Sequence, residues 1–253
     1  MFLFSDLDNT LIYSHNRKIT QDRIVVEHLD GQEQSYMTKY TYEHFRFNEN
    51  IELIPITTRT LAQYSRLEFI DAFNIREAIV YNGGMHLING IEDFAWSKET
   101  MQMVNNQLED FESAVTILEK NYAGNHTVHR PVPYMAYVKT DSPKNACEEI
   151  REKVNLENVT VQNDHKKIYV FASRINKGTA LQRFCKAKNL RAEMVAGDDV
   201  MDISMLNYAD CAFVSEKIAD LVNNKHKVVL TGEILSDQLC DEIERFSKQV
   251  LEE

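Results

Sequence analysis

FLFSDLDNTL, residues 2–11, is the stretch from which the rest of this 253-residue chain can be read. The apolar run Met1 to Phe4 predicts a buried strand that leads straight into Asp6 and Asp8. Two carboxylates one residue apart repel each other, and burying either is costly unless a cation or a proton joins them. A hard cation, most simply Mg2+, takes oxygen ligands from one or two carboxylates and meets that need. An ordinary strand-end turn with a solvated acidic pair is the simpler alternative, and both readings stand on these ten residues.

The following segments set that strand in a repeating pattern. Residues 24–29 and 32–37 flank Asp30-Gly31, a favoured two-residue hairpin turn. A helix is expected over 38–48 with Thr38 as its N-cap, then an apolar strand over 51–58. A helix over 60–73 carries Leu61, Tyr64, Leu67, Ile70 and Phe73 on one face, and a short strand at 78–81 stops at Asn82-Gly83-Gly84. This β-α-β rhythm implies a parallel sheet covered by helices. From Lys177 it resumes, with helices near 177–188, 200–207, 216–223 and from 234, and strands at 193–197, 211–214 and 227–230. The middle differs. A long helix over 99–121, strands near 126–130 and 134–139, a helix from Ser142-Pro143, and strands near 158–163 and 167–172 give the order αββαββ. Consecutive strands favour antiparallel pairing, so this reads as a separate α+β module inserted into an α/β domain. The expected division is a discontinuous core, 1–86 with 173–253, and an inserted module, 87–172.

Bulk properties exclude some functions. The chain is 43% apolar and 26% charged, an ordinary globular composition, with a net charge of −11. That charge argues against non-specific binding to nucleic acid or anionic membranes, though a metal and a few local cations can still admit a small anion. Cys147, Cys185, Cys211 and Cys240 show no metal or disulfide spacing and are expected as buried thiols. With no apolar run of membrane-spanning length and acids early in the chain, a cytoplasmic location is expected.

Four places carry chemistry, each just past a predicted strand or opening a helix: Asp6/Asp8, Thr57-Thr58-Arg59, Lys177, and Asp198-Asp199 with Asp202. Ligands of open parallel sheets bind outside the carboxyl ends of the strands. Each place has a plainer role, as a cap, a turn or a solvated lysine. Together, several carboxylates, a hydroxyl and a lysine at one edge make a site for magnesium and phosphate, with carboxylates on the metal and Thr, backbone N–H groups and Lys on phosphate oxygens.

These segments, DLDNT (6–10), ITTR (56–59), NKGTAL (176–181) and GDDVMD (197–202), resemble in order and context the four motifs of the haloacid dehalogenase superfamily. The inserted module resembles the type IIB cap of the subgroup that includes Cof-like and sucrose-phosphate phosphatases and phosphomannomutase, and Asn82-Gly83-Gly84 is typical of that subgroup. The resemblance implies a Rossmann-like core and hydrolysis of a small phosphorylated metabolite such as a sugar phosphate. It makes Asp6 the nucleophile, Asp8 the general acid and base, Thr57, with Thr58 beside it, and Lys177 the phosphate-binding groups, and Asp6, Asp8 (through its carbonyl) and Asp198 the Mg2+ ligands. Relatives usually carry Asn where this chain has Met201, so the remaining role, second ligand or partner to Lys177, falls on Asp199 or Asp202. The long segment 12–50 is a further departure, and its hairpin is either an extra specificity element or an edge ribbon. Arg59, Asn82 and Arg130 are candidates for the substrate, with His126, His129 and Tyr134 near Arg130. A phosphomutase shares this core and cap. A receiver-type signalling module is far shorter and lacks the cap, and a non-catalytic phosphate-binding protein need not keep both Asp6 and Asp8.

Overall fold

In the computed structural model, which describes residues 1–122, 127–164 and 166–252, the opening apolar run forms β1 (Phe2–Ser5). After β2 (Tyr13–Ser14) comes the hairpin of β3 (Arg23–Leu29) and β4 (Gln32–Thr38). Asp30 and Gly31 lie at φ 52° and 75°, the left-handed pair that lets a two-residue turn follow the strand twist. Thr38 then starts α1 (Lys39–Phe47) by accepting from the Thr41 amide. β5 (Glu52–Pro55) is followed by α2 (Leu61–Tyr64) and α3 (Phe69–Ala72), not by one helix over 60–73. Thr60 and Gln63 form a capping box that opens α2, but Leu67 bridges to Glu27 and the Glu68 amide donates to Val26 O. Strand β3 thus takes the backbone groups that a continuous helix would need. β6 (Glu77–Val80), β7 (Met85–Ile88) and β8 (Ile91–Glu92) form an antiparallel meander.

The next segment forms α4 (Phe94–Val104) and α5 (Leu108–Tyr122), joined by a 3-10 turn at Asn105–Gln107. The expected helix thus starts earlier and is broken. Asp93 sets its start, accepting from the Ala95 and Trp96 amides. β9 (His129–Val132), β10 (Met135–Lys139), α6 (Pro143–Arg151), β11 (Val159–Asp164) and β12 (Lys167–Ala172) follow. The strand expected near 126–130 begins at His129, and His126 lies outside the described residues. The chain ends with α7 (Lys177–Lys188), β13 (Met194–Gly197), α8 (Ile203–Leu206), β14 (Cys211–Ser215), β15 (Lys227–Leu230) and α9 (Leu235–Glu252). The helix expected near 216–223 is a 3-10 helix at Glu216–Leu221.

Two units result: residues 1–92 with 177–253, and residues 93–176. Pairing of β6, β7 and β8 keeps 87–92 in the first unit. That unit holds a parallel sheet in the order β15-β14-β13-β1-β5, extended by a parallel Ile56–Ile79 bridge that brings β6 beside β5. Leu3, Phe4, Ile54, Val195 and Phe213 from its strands are buried, as expected of a sheet covered on both faces. β1 lies between β13 and β5, so the strand order reverses direction beside it, and the carboxyl ends of strands at such a point are where open α/β sheets bind ligands. The second unit is α+β. Its antiparallel sheet, β11-β12-β10-β9, packs Ala136, Val138, Ile168 and Val170 on Phe111, Val115 and Leu118 of α5 and Cys147 and Ile150 of α6. All four cysteines are buried and free. Among the described residues no helix is long and apolar enough to cross a membrane.

Candidate active site

The loop after β1 is fixed by its backbone. The Asp6 amide donates to Ala196 O of β13 (3.0 Å), and the Leu11 and Ile12 amides both donate to Leu7 O (2.9 Å). Asn9 takes φ 64° to close this turn, a conformation its short polar side chain tolerates. Asp6 is thereby buried between β1 and β13, while the Asp8 side chain stays 48% exposed.

Lys177, the first residue of α7, reaches under this loop. Its buried Nζ donates to Asp6 Oδ1 (2.6 Å) and to Asp202 Oδ1 (2.5 Å). Asp202 Oδ2 accepts from the amides of Asp198 (2.9 Å) and Asp199 (3.0 Å), so both its oxygens are engaged. Gly197 makes that placement possible: a Cβ there would lie 2.5 Å from Asp202 Cβ. Asp199 instead caps the following 3-10 turn, its Oδ1 accepting from the Met201 amide. The residue paired with Lys177 is therefore Asp202. Asp198 Oδ1 accepts from Thr10 Oγ1 (3.0 Å), a contact with no signature in the sequence.

Burial holds the Asp6 carboxyl well above its usual range; Lys177 opposes this, and Asp202, Asp198 and Asp8 add to it. Asp198 is pushed up to about 7 by burial and by Asp202, against Thr10 and Lys177. Lys177 moves above its ordinary value, because Asp202 and Asp6 outweigh the effect of burial. Asp6, Asp198 and Asp202 can each bring a carboxylate oxygen within 4.8 Å of the others. Three buried carboxylates facing one lysine leave a surplus of negative charge. A hard cation fits this oxygen donor set and would offset both the burial and the repulsion that raise Asp6 and Asp198.

The structure brings Asp6, Lys177, Asp198 and Asp202 into one cluster. Thr57 follows β5 at the same edge, where the Ile56 amide donates to Ser5 O; its buried Oγ1 accepts from the Arg59 amide. Thr58 is half-buried beside it. Asn82 is buried at φ 58°, its amide donating to Thr57 O. Arg59, expected as a candidate for the substrate, is engaged within the chain. Its Nε and Nη2 fork onto Asp8 Oδ2 and Oδ1, both at 2.8 Å, and its Nη1 donates to Glu27 Oε2 at 2.9 Å. Arg130 lies exposed on β9 of the second unit and pairs with Glu112. Glu27, missed in the sequence, left one signal: a carboxylate directly after the apolar run Ile24-Val25-Val26 of a predicted strand.

Solved structures with this fold include the sucrose-phosphatase of Synechocystis sp. PCC6803 with sucrose and phosphate, at 15% identity over 98% of both chains and a TM-score of 0.64. A subclass IIB sugar phosphatase of the haloacid dehalogenase superfamily aligns over 97% of this chain and 98% of its own, at 14% identity and a TM-score of 0.61. A phosphatase of that superfamily from Bacteroides thetaiotaomicron aligns over 97% and 94%, at 14% identity and a TM-score of 0.57. Such identities speak for a shared fold. A comparison with curated protein sequences finds no match. The family model of haloacid dehalogenase-like hydrolases matches residues 36–232, and the chain belongs to that family.

Proposed function

We propose that the protein is a Mg2+-dependent phosphatase acting on a small phosphorylated metabolite through an aspartyl-phosphate on Asp6. The observation that carries this is the buried cluster at the carboxyl edge of the sheet, in which Lys177 joins Asp6 and Asp202 beside Asp198. Two sugar phosphatases among proteins of the same fold favour a sugar phosphate.

In the first step an Asp6 carboxylate oxygen attacks phosphorus and the ester P–O bond breaks. Asp8 gives its proton to the departing oxygen, which leaves as an alcohol. In the second step the Asp8 carboxylate takes a proton from water, the water oxygen attacks phosphorus, and the bond to Asp6 breaks to release phosphate. A carboxylate nucleophile divides one difficult displacement into two easier ones, and one carboxyl group can serve both proton transfers. Lys177, Thr57 and Thr58 bind the phosphoryl oxygens, and Asp202 positions Lys177. Mg2+, held by Asp6, Asp198 and the Asp8 carbonyl, would supply the positive charge that lets an anionic nucleophile meet an anionic phosphate. Asp199 is left as a cap of the 3-10 turn.

The test is hydrolysis of 4-nitrophenyl phosphate by metal-stripped protein. Activity should return with Mg2+ and vanish in chelator. Full activity in chelator would overturn the metal-dependent reading.

A further inference from the structure

Glu27 is a carboxylate with 2% of its side chain exposed, carried by a hairpin that the reaction above does not use. β3 and β4 lose register on both sides of it, between Val25 and Glu27 and between Glu27 and His28. Bulges of this kind re-aim a side chain. Here the result is a fully engaged carboxylate. Oε2 accepts from Arg59 Nη1 (2.9 Å) and Ser35 Oγ (2.7 Å), and Oε1 accepts from Arg66 Nη2 (2.7 Å) and Nε (3.1 Å).

Arg59 is engaged as completely. A guanidinium has five N–H donors in a rigid fork. Nε and Nη2 donate to the two oxygens of Asp8, Nη2 also to Ser35 Oγ (3.3 Å), and Nη1 to Glu27 and to Gln63 O (3.4 Å). Five donors meet five acceptors. Two carboxylates and two guanidiniums make the group neutral. Its only well-exposed member is Asp8, the group given the proton transfers above.

We propose that Glu27 is a positioning residue for the reaction: anchored by Ser35 and Arg66, it orients Arg59, whose fork fixes the plane of the Asp8 carboxyl. The proposal rests on the assignment of Asp8 as acid and base. A half-exposed carboxyl can turn about two torsions, and two parallel hydrogen bonds from one rigid fork remove that freedom. The fork is itself at the end of a flexible chain and needs an anchor. Stability alone does not call for this anchor, since apolar residues of like volume often serve a core as well as a buried ion cluster does. The hairpin is thereby tied to the proton-transfer step.

The experiment is pre-steady-state hydrolysis of 4-nitrophenyl phosphate with Mg2+, using the full chain and its Glu27→Gln, Asp8→Asn and double variants. Nitrophenolate is a good leaving group, so phosphoryl transfer to the enzyme needs little help from Asp8, while hydrolysis of the phosphoenzyme needs Asp8 as base. For Glu27→Gln we expect a burst close to wild type, a steady-state rate lower by about tenfold or more, within the range that general acid–base groups supply, and a KM lowered in proportion, so that kcat/KM is unchanged. In the Asp8→Asn background the same change should cost nothing further. Equal losses in burst and steady state, or an equal further loss in the Asp8→Asn background, would mark Glu27 as structural only and overturn the proposal. Should Glu27→Gln not fold, Glu27→Asp keeps the charge at shorter reach. It should give the same pattern in weaker form, and a wild-type steady-state rate would overturn the proposal. If wild type forms no phosphoenzyme, the assignment of function fails and this inference with it; if wild type does so and Glu27→Gln behaves identically, the inference alone fails.

Discussion

Replacing Asp202 by Asn tests whether the cluster is organised as its hydrogen bonds indicate. Asp202 is fully buried, its Oδ1 on Lys177 and its Oδ2 on two backbone amides. In Asp202→Asn the amide oxygen can still accept from the Asp198 and Asp199 amides, which turns the NH2 group toward the Lys177 ammonium, donor against donor. Breaking one partner of a buried pair costs about 3–5 kcal/mol. Lys177 keeps Asp6, so the lower end, about 3 kcal/mol, is expected, and a chain of this size then melts about 6–12 °C lower. Asp202→Ala also strips two amides of their acceptor, at about 1–3 kcal/mol each, and should melt lower still. Asp199→Asn is the control, because Asn caps a turn about as well as Asp and should cost a few tenths of a kcal/mol. Melting must be followed by circular dichroism in chelator, since bound cation adds stability by mass action. In the Lys177→Met background the Asp202→Asn cost should largely disappear, since the pair is already broken. An Asp202→Asn protein melting within about 2 °C of wild type, or Asp199→Asn costing more, would refute this account.

Two further outcomes are expected. In Gly197→Ala the new methyl would lie 2.5 Å from Asp202 Cβ and 2.7 Å from its Oδ2, so Asp202 must move. We expect a loss of about 1–3 kcal/mol, seen as a lower melting temperature, together with lower activity; Gly232→Ala, whose nearest neighbour is 3.0 Å away at the end of a flexible Gln238 side chain, should be milder. For Glu27, burial alone would raise the carboxyl, but Arg59 and the hydrogen bonds from Ser35, Arg59 and Arg66 prevail and hold it below its ordinary value. A depressed folded-state pKa gives stability that is present above the unfolded value and lost as pH falls through the folded one. The gap between wild type and Glu27→Gln in denaturant melts should thus be full above about pH 5 and close well below the ordinary glutamate value of about 4.3; a gap that widens toward low pH would reverse the sign.

What could be read from the sequence is what local chemistry decides. The Asp30-Gly31 turn, the Thr38 cap and the Lys177 helix start each follow from a few neighbouring residues, and each is found where expected. The carboxylates were legible because they end apolar strands of a parallel sheet, and its topology brings those ends together. Non-local contacts were not legible. The helix expected over 60–73 breaks because strand β3 takes the Glu68 amide. Asp199 and Asp202 could not be separated by type or spacing, since the space above Gly197 decides which one turns inward. Arg59 read as a spare anion-binding arginine because its partner Glu27 lies 32 residues away, on a strand whose bulges defeat a period-two reading.

The most direct test of the central claim is to trap the phosphoryl group. The protein is mixed with 4-nitrophenyl phosphate and Mg2+, quenched in acid within the first turnover, digested and analysed by mass spectrometry, alongside Asp6→Asn and Asp8→Asn. The account predicts one phosphorylated peptide with the label on Asp6, no label in Asp6→Asn, and a longer-lived label on Asp6 in Asp8→Asn. A reproducible label on Asp8 or any other residue, or turnover by wild type with no label at the shortest times, would contradict it.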